Sequence, residues 1–240
     1  MTFRPRTCTQ FSWIREFSER GTIFTHDGNP RRPHALLTDE LHSNGYFNSE
    51  LVMEDSLLLG KIAADLVRRL ERAGGIRFIN QIDRVVGPAM GAIRLAHDVS
   101  RKIAERRGRS CLSAYTEPEI TGGKKHMTFN KSCIRPGEHV LLVDDAFTIG
   151  GSLLLTEEAV AQVGGIVLKY ECVIANRSTL SHVNGKLIIP LVKLEMPTWI
   201  PEKCPLCRAG SVAIRPKGEN WARLNASYPE PESTLKWNPF

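Results

Sequence analysis

The stretch Val140–Leu154, VLLVDDAFTIGGSLL, decides how this chain is read. Four consecutive apolar residues, Val140 to Val143, suit a strand buried on both faces. Two carboxylates, Asp144 and Asp145, follow at once. A short loop with Thr148, Ile149, Gly150 and Gly151 comes next, and a helix opens at Ser152. Each part has a physical use. The glycine pair lets backbone N–H groups turn toward one point, and Thr148 and Ser152 add hydroxyl donors. The helix start adds the positive end of its dipole, which together makes a phosphate cradle. The acidic pair beside it can hold sugar hydroxyls or the water shell of a metal ion. Taken as ordinary local structure, the same residues are a strand, a turn and an N-cap at Ser152.

The surrounding pattern repeats this strand-then-helix order. Residues 9–20 place Phe11, Ile14 and Phe17 at helical spacing, with Gly21 as a stop. Residues 25–45, rich in Pro, Gly, Asn and His, read as loop with one short strand. A long helix is expected from Met53, with Glu54 and Asp55 at its positive end and Gly74-Gly75 closing it. The short strand Val85-Val86 is broken by Gly87-Pro88, and a helix follows over 92–107. Residues 110–115 form a strand, 116–127 a mobile loop and 136–137 a turn. Strand 139–143, loop 144–151, helix 152–163 and strand 166–175 complete the pattern. Continuous apolar strands alternating with helices predict an α/β fold, a parallel sheet covered by helices on both faces. Such folds bind ligands at the C-terminal ends of their strands, here just after Val86, Tyr115, Val143 and Ala175.

Composition agrees with a soluble α/β protein. The 240 residues are 42% hydrophobic and 24% charged, as in ordinary globular chains. No apolar run approaches the ~18 residues of a membrane helix. The N-terminus MTFRPRTCTQFSW lacks the apolar core of a secretory signal, so the expected compartment is the cytoplasm. Net charge is +6. The basic residues are scattered, with no aromatic-interleaved stripe, which argues against nucleic acid. A cleft for a polyanionic small molecule gives the same bias. Of six cysteines, Cys111 and Cys172 lie in apolar stretches as core residues, and Cys204 and Cys207 form one C-x-x-C.

These motifs resemble a known family. VLLVDDAFTIGGS is similar to the motif that binds phosphoribosyl pyrophosphate (PRPP) in type I phosphoribosyltransferases, matching at Asp144, Asp145, Thr148, Gly150, Gly151 and Ser152 and departing at Ala146, Phe147 and Ile149. Gly87, Pro88, Ala89 and Gly91 resemble the pyrophosphate loop of the orotate phosphoribosyltransferases. His42, Ser43, Tyr46 and Asn48 resemble their base-binding segment. Arg177, after a strand, stands where that family places an arginine against the orotate carboxylate. The tail, with its Cys-Pro-Leu-Cys, is similar to one branch of the same enzymes.

The resemblance implies a type I phosphoribosyltransferase fold: a Rossmann-like parallel sheet flanked by helices, with an N-terminal hood and a Cys-containing C-terminal extension. The segments are then 1–50 for helix and hood, 51–195 for the core and 196–240 for the extension. Residues 219–240 match nothing and are expected to be disordered. The implied reaction transfers the phosphoribosyl group of PRPP to orotate, giving orotidine 5′-monophosphate and pyrophosphate, with Mg²⁺ and in a homodimer. The implied catalytic residues are Lys125, Asp144 and Asp145. Thr148, Ile149, Gly150, Gly151 and Ser152 hold the 5-phosphate. Gly87, Pro88, Ala89 and Lys124 meet the pyrophosphate, and Tyr46, Phe47 and Arg177 meet the base. No direct protein ligand to Mg²⁺ is expected. Cys204 and Cys207 are candidates for zinc, for which only His182 lies close upstream. Two other readings stay open. Thr38, Asp39 and Glu40 motivate a different acceptor base, while Ile149 and the sparse basic loop motivate a PRPP-binding regulator without catalysis.

Overall fold

A computed structural model describes residues 9–38, 40–131 and 133–229 of the chain. The expectations for the extreme N-terminus and for 230–240 lie outside those residues. In chain order the elements are α1 (Gln10–Glu19), β1 (Ile23–Thr25), β2 (His34–Leu36), β3 (His42–Ser43), β4 (Gly45–Phe47), α2 (Glu50–Met53), α3 (Ser56–Gln81), β5 (Arg84–Pro88) and α4 (Ile93–Arg107). They continue with β6 (Leu112–Thr121), β7 (Lys124–Thr128), β8 (His139–Phe147), α5 (Gly151–Gln162), β9 (Ile166–Asn176), β10 (His182–Val183) and β11 (Lys186–Lys193). The tail adds β12 (Thr198–Trp199), a 3₁₀ turn at Pro201–Lys203, α6 (Pro205–Arg208), β13 (Ala213–Ile214) and α7 (Glu219–Asn225).

The described residues fall into two compact units. The first comprises residues 9–20 and 49–195, and the second 21–48 and 196–229. Helix α1 therefore groups with the core rather than with the segment that follows it.

The first unit is built on a seven-stranded sheet in the order β10-β11-β9-β8-β5-β6-β7. Strands β11, β9, β8, β5 and β6 run parallel, and β10 and β7 add antiparallel edges. This is the expected architecture. Val86, Val140, Leu142 and Val173 face one core with Leu153 and Val160 of α5. Alternation along the strands sends Val85, Leu141 and Ile174, all fully buried, to the opposite face. Helices α3 and α4 lie against the sheet as well. Leu66 and Leu70 of α3 are fully buried, each worth about 1.5–3 kcal/mol of apolar transfer.

Several expectations are corrected. In α1 the buried pair is Trp13 and Phe17, at i and i+4, while Phe11 is 80% exposed. The long helix starts at Ser56 because Asp55 caps it, its Oδ1 accepting from Leu57 N and Leu58 N at 3.0 Å. Gly75 interrupts that helix at φ 77° but does not end it. Phe78 and Ile79 beyond it are buried, so core packing carries the chain through a second helical segment. Residues 25–45 hold two whole strands, β2 and β3, and one end each of β1 and β4, rather than one strand. Residues 116–127 are a β-hairpin, not a mobile loop. Gly122 and Gly123, at φ 60° and 77°, form the two-residue turn between β6 and β7, the geometry that suits the twist of paired strands. Strand β8 runs on to Phe147, so the acidic pair lies on the strand and the loop shrinks to residues 148–150.

In the second unit, β12-β3-β2-β13 form a four-stranded sheet and β1 pairs with β4. Phe24, Ala35, Leu37 and Leu224 make a small core, with Leu41, Tyr46, Ile214 and Trp221 packed on it. Residues 219–225, expected to be disordered, are helix α7, held by the burial of Leu224.

Candidate active site

The site grows from the ends of β5 and β8, adjacent parallel strands. Asp144 Oδ1 accepts from the Asp145 N–H at 2.9 Å, and Asp145 Oδ1 accepts from the Ala146 N–H at 2.8 Å. Asp144 is buried, 7% exposed. Burial, and then the neighbouring Asp145 carboxylate, pushes its carboxyl well above the usual range. Ser49 Oγ donates to Asp145 Oδ2. That serine, just before α2, was not singled out in the sequence, where nothing ties it to a strand 96 residues away.

The loop after β5 closes on the same carboxylate. A Cβ placed on Gly91 would lie 2.8 Å from Asp145 Oδ2, so only a glycine lets the backbone approach this closely. Ala89 N–H donates to Thr116 O at 2.7 Å, tying the loop to β6. Thr116, fully buried, shares a hydroxyl hydrogen bond of 3.1 Å with Thr156 of α5. Gly87 and Pro88 end β5, and Ala89 begins the loop that leads to Gly91.

The cradle follows β8. Gly150, at φ 82°, is the residue before α5, and Gly151 and Ser152 open the helix. A Cβ on Gly150 would meet Phe147 and Val183 at 2.8 Å. The cap residue is thus Gly150 and not Ser152, and it leaves the first N–H groups of α5 without a side-chain cap. Such N–H groups, with the dipole behind them, favour an anion. Thr148 is half-buried and Ile149 is 57% exposed. On the other side, Arg177 N–H donates to Phe147 O at 2.8 Å. Arg177 is 5% exposed, a buried guanidinium at the end of β9. Its neighbour Asn176 accepts from Ser178 N and Oγ at 2.9 Å, shaping the turn that follows.

Lys124 and Lys125 stand at the tip of the β6–β7 hairpin, opposite Thr121 and Ile120. Both are exposed, and their ammonium groups make no ion pair among the described residues. Adjacent residues of a strand point to opposite faces, so one lysine at a time faces a given side. Tyr46 and Phe47 belong to the second unit. Phe47 is buried, and the Tyr46 ring meets Trp221 edge-on with centroids 6.0 Å apart. Cys204 and Cys207 also lie in the second unit. Their imidazole neighbours are His34 and His42, not His182, whose ring meets Ser181 at 3.0 Å in the first unit. Strand pairing, not closeness along the chain, supplies those neighbours.

A strand-end carboxylate pair, a glycine-opened helix start and a tight second loop define a site for a phosphorylated sugar at the C-terminal ends of central strands. Residues 54–199 match the phosphoribosyl transferase domain, and the chain belongs to that family. Among its relatives, the orotate phosphoribosyltransferase of Desulforamulus reducens is 34% identical over 194 residues, 81% of this chain and 93% of that one. The orotate phosphoribosyltransferase of Acidithiobacillus ferrooxidans is 33% identical over 195 residues, with the same coverage. The crystal structure of the Aeropyrum pernix orotate phosphoribosyltransferase shares the fold at TM-score 0.55 and 20% identity, covering 75% of this chain and 93% of that one.

Proposed function

We propose that the chain transfers the phosphoribosyl group of PRPP to orotate, forming orotidine 5′-monophosphate and releasing pyrophosphate. The observation that carries this is the Asp144-Asp145 pair on β8, with Gly91 of the loop after β5 packed against Asp145 and the uncapped start of α5 following the same strand. The names of the relatives support orotate as the acceptor. Glu40, which motivates a different base, pairs with Arg215 and so does not face an anionic ligand unneutralised.

In the reaction the bond from ribose C1 to pyrophosphate oxygen breaks as a bond from orotate nitrogen to C1 forms. Positive charge develops on the sugar and negative charge on the leaving group. Catalysis is then positioning and electrostatics. Asp144 and Asp145 accept the ribose hydroxyls. Asp145 is held for this by Ser49, in the space that Gly91 leaves open. Thr148, Ile149, Gly150, Gly151 and Ser152 wrap the 5-phosphate through backbone N–H groups and hydroxyls. Gly87, Pro88 and Ala89 receive the pyrophosphate, and Lys125 neutralises it, with Lys124 on the opposite face of β7 as the alternative. Arg177 holds the base, the guanidinium suiting its carboxylate. Hard carboxylate oxygens at Asp144 and Asp145 fit the water shell of Mg²⁺. That ion, when bound, supplies charge neutralisation at the pyrophosphate. The reading includes a cytoplasmic homodimer.

The test is loss of orotate absorbance with PRPP and Mg²⁺, run beside Lys125→Ala. Turnover in the parent that falls at least tenfold in the variant is expected. No turnover with orotate, while calorimetry still detects PRPP binding, would overturn the orotate assignment. Turnover with another base would then name a different acceptor, and none with any base would leave a PRPP-binding regulator.

A further inference from the structure

Four potential metal ligands meet in the second unit. His34 Nε2 lies 3.0 Å from His42 Nδ1, 3.6 Å from Cys204 Sγ and 3.5 Å from Cys207 Sγ. Cys207 Sγ lies 3.2 Å from His42 Nδ1. All four ligand atoms lie within 4.8 Å of one another. A tetrahedral zinc ion with bonds of about 2.0–2.1 Å to nitrogen and about 2.3 Å to sulfur has edges of roughly 3.3–3.8 Å between its ligands. The cluster therefore has the size and the donor set of such a site.

We propose that His34, His42, Cys204 and Cys207 bind one structural Zn²⁺ that fastens the C-terminal segment to the β2–β3 hairpin. Hydrogen bonding around the cluster orients its first ligand. Ser211 Oγ donates its single proton to Arg32 O at 2.6 Å. At 2.8 Å from His34 Nδ1, the same oxygen must then accept the Nδ1 proton. The lone pair of His34 Nε2 is thereby left facing the two thiols. A partner that fixes the tautomer in this way is the usual support of a zinc-bound imidazole.

The surrounding fold explains why a metal is useful here. His34 sits opposite Ala213 in the β2–β13 ladder, and His42 opposite Trp199 in the β3–β12 ladder. Each of those ladders is only two residue pairs long, and the hydrophobic cluster beside them has four buried members among the described residues. Units with so small a core are commonly stapled by disulfides or metals. Two thiolates and two imidazoles fill all four positions of the tetrahedron. The site has no place for a reacting ligand, and the two soft sulfurs select zinc over magnesium or calcium.

The test is elemental analysis of the full-length chain purified without added metal, followed by replacement with Co²⁺. About one zinc per chain is expected, falling at least fivefold in Cys204→Ser and in Cys207→Ser. The cobalt form should show thiolate charge-transfer bands and the intense visible bands of a tetrahedral site. Because the serine variants could fail to fold, Cys207→His is included. It should retain the metal and lose part of the charge-transfer band. His182→Ala should leave the zinc content unchanged. Absence of zinc and of cobalt binding in the well-folded parent would overturn the proposal, as would a Cys204–Cys207 disulfide found by mass spectrometry. Zinc content unchanged in both serine variants would overturn it as well.

Discussion

Asp145 accepts from the hydroxyl of Ser49 and the N–H of Ala146, and the absence of a side chain at Gly91 leaves room for its carboxylate. Its neighbour Asp144 is held by burial. Losing a charge-assisted hydrogen bond costs about 1.5–3 kcal/mol. Asp145→Asn should therefore lower kcat/KM about 10- to 100-fold, with a melting temperature close to the parent's in calorimetry. Gly91→Ala places a methyl group 2.8 Å from the same carboxylate and should reduce kcat/KM by a similar factor. A Gly91→Ala enzyme with parental kinetics would show that the loop does not position Asp145. The identity of this pair was legible, because adjacent carboxylates after a buried strand and before Gly-Gly are an unusual local pattern. Ser49 was not, because its role is set by a contact across 96 residues.

At the scale of elements, one buried carboxylate joins parts of the first unit. Asp65 of α3, fully buried, accepts from Trp13 Nε1 of α1 at 2.7 Å. It also accepts from Arg68 at 3.1 Å and Arg69 at 3.3 Å. Arg69 in turn donates to Pro190 O and Leu191 O of β11 at 2.8 and 2.7 Å. Removing the carboxylate strands these donors, and breaking a buried charge pair costs about 3–5 kcal/mol. Asp65→Ala should be destabilised by that order in urea unfolding. A loss below about 1 kcal/mol would mean the network is dispensable. The helices and central strands were legible from their apolar spacing. The hairpin at 112–128 was hidden because its exposed strands carry charge, as in Glu117, Glu119, Lys124 and Lys125, and lack the apolar continuity of buried ones. The Gly122-Gly123 pair was the signal that could have found it. The short strands of the second unit have no periodicity to detect at two or three residues each. Among the described residues no helix is long and apolar enough to cross a membrane.

Across the whole molecule, stability depends on pH through Glu171, a fully buried residue of β9. Neither of its carboxyl oxygens has a hydrogen-bond partner among the described residues. Burial pushes its carboxyl up to about 7 from an ordinary 4.5; Glu157 adds to the rise and Lys186 opposes it. Between those values the folded chain keeps a proton that the unfolded chain has released. The contribution of this group is therefore full below pH 4.5, falls as pH rises toward 7 and is level above that. One proton gives a slope of at most about 1.4 kcal/mol per pH unit. Glu171→Gln removes the titration at nearly constant volume, so its melting temperature should vary less between pH 4.5 and 7. An unchanged slope would assign the pH dependence to other groups. The two-unit organisation was only partly legible, because its second unit is assembled from segments at opposite ends of the sequence.

The order β12-β3-β2-β13 has a consequence during synthesis. Both outer strands come from the tail, while the inner hairpin emerges near the beginning. At usual rates of translation the ribosome needs on the order of ten to thirty seconds to reach the outer pair. Throughout that interval the nascent β2–β3 hairpin carries two open hydrogen-bonding edges, each a template for pairing with another chain. A message truncated before Thr198 yields a polypeptide in which that exposure becomes permanent.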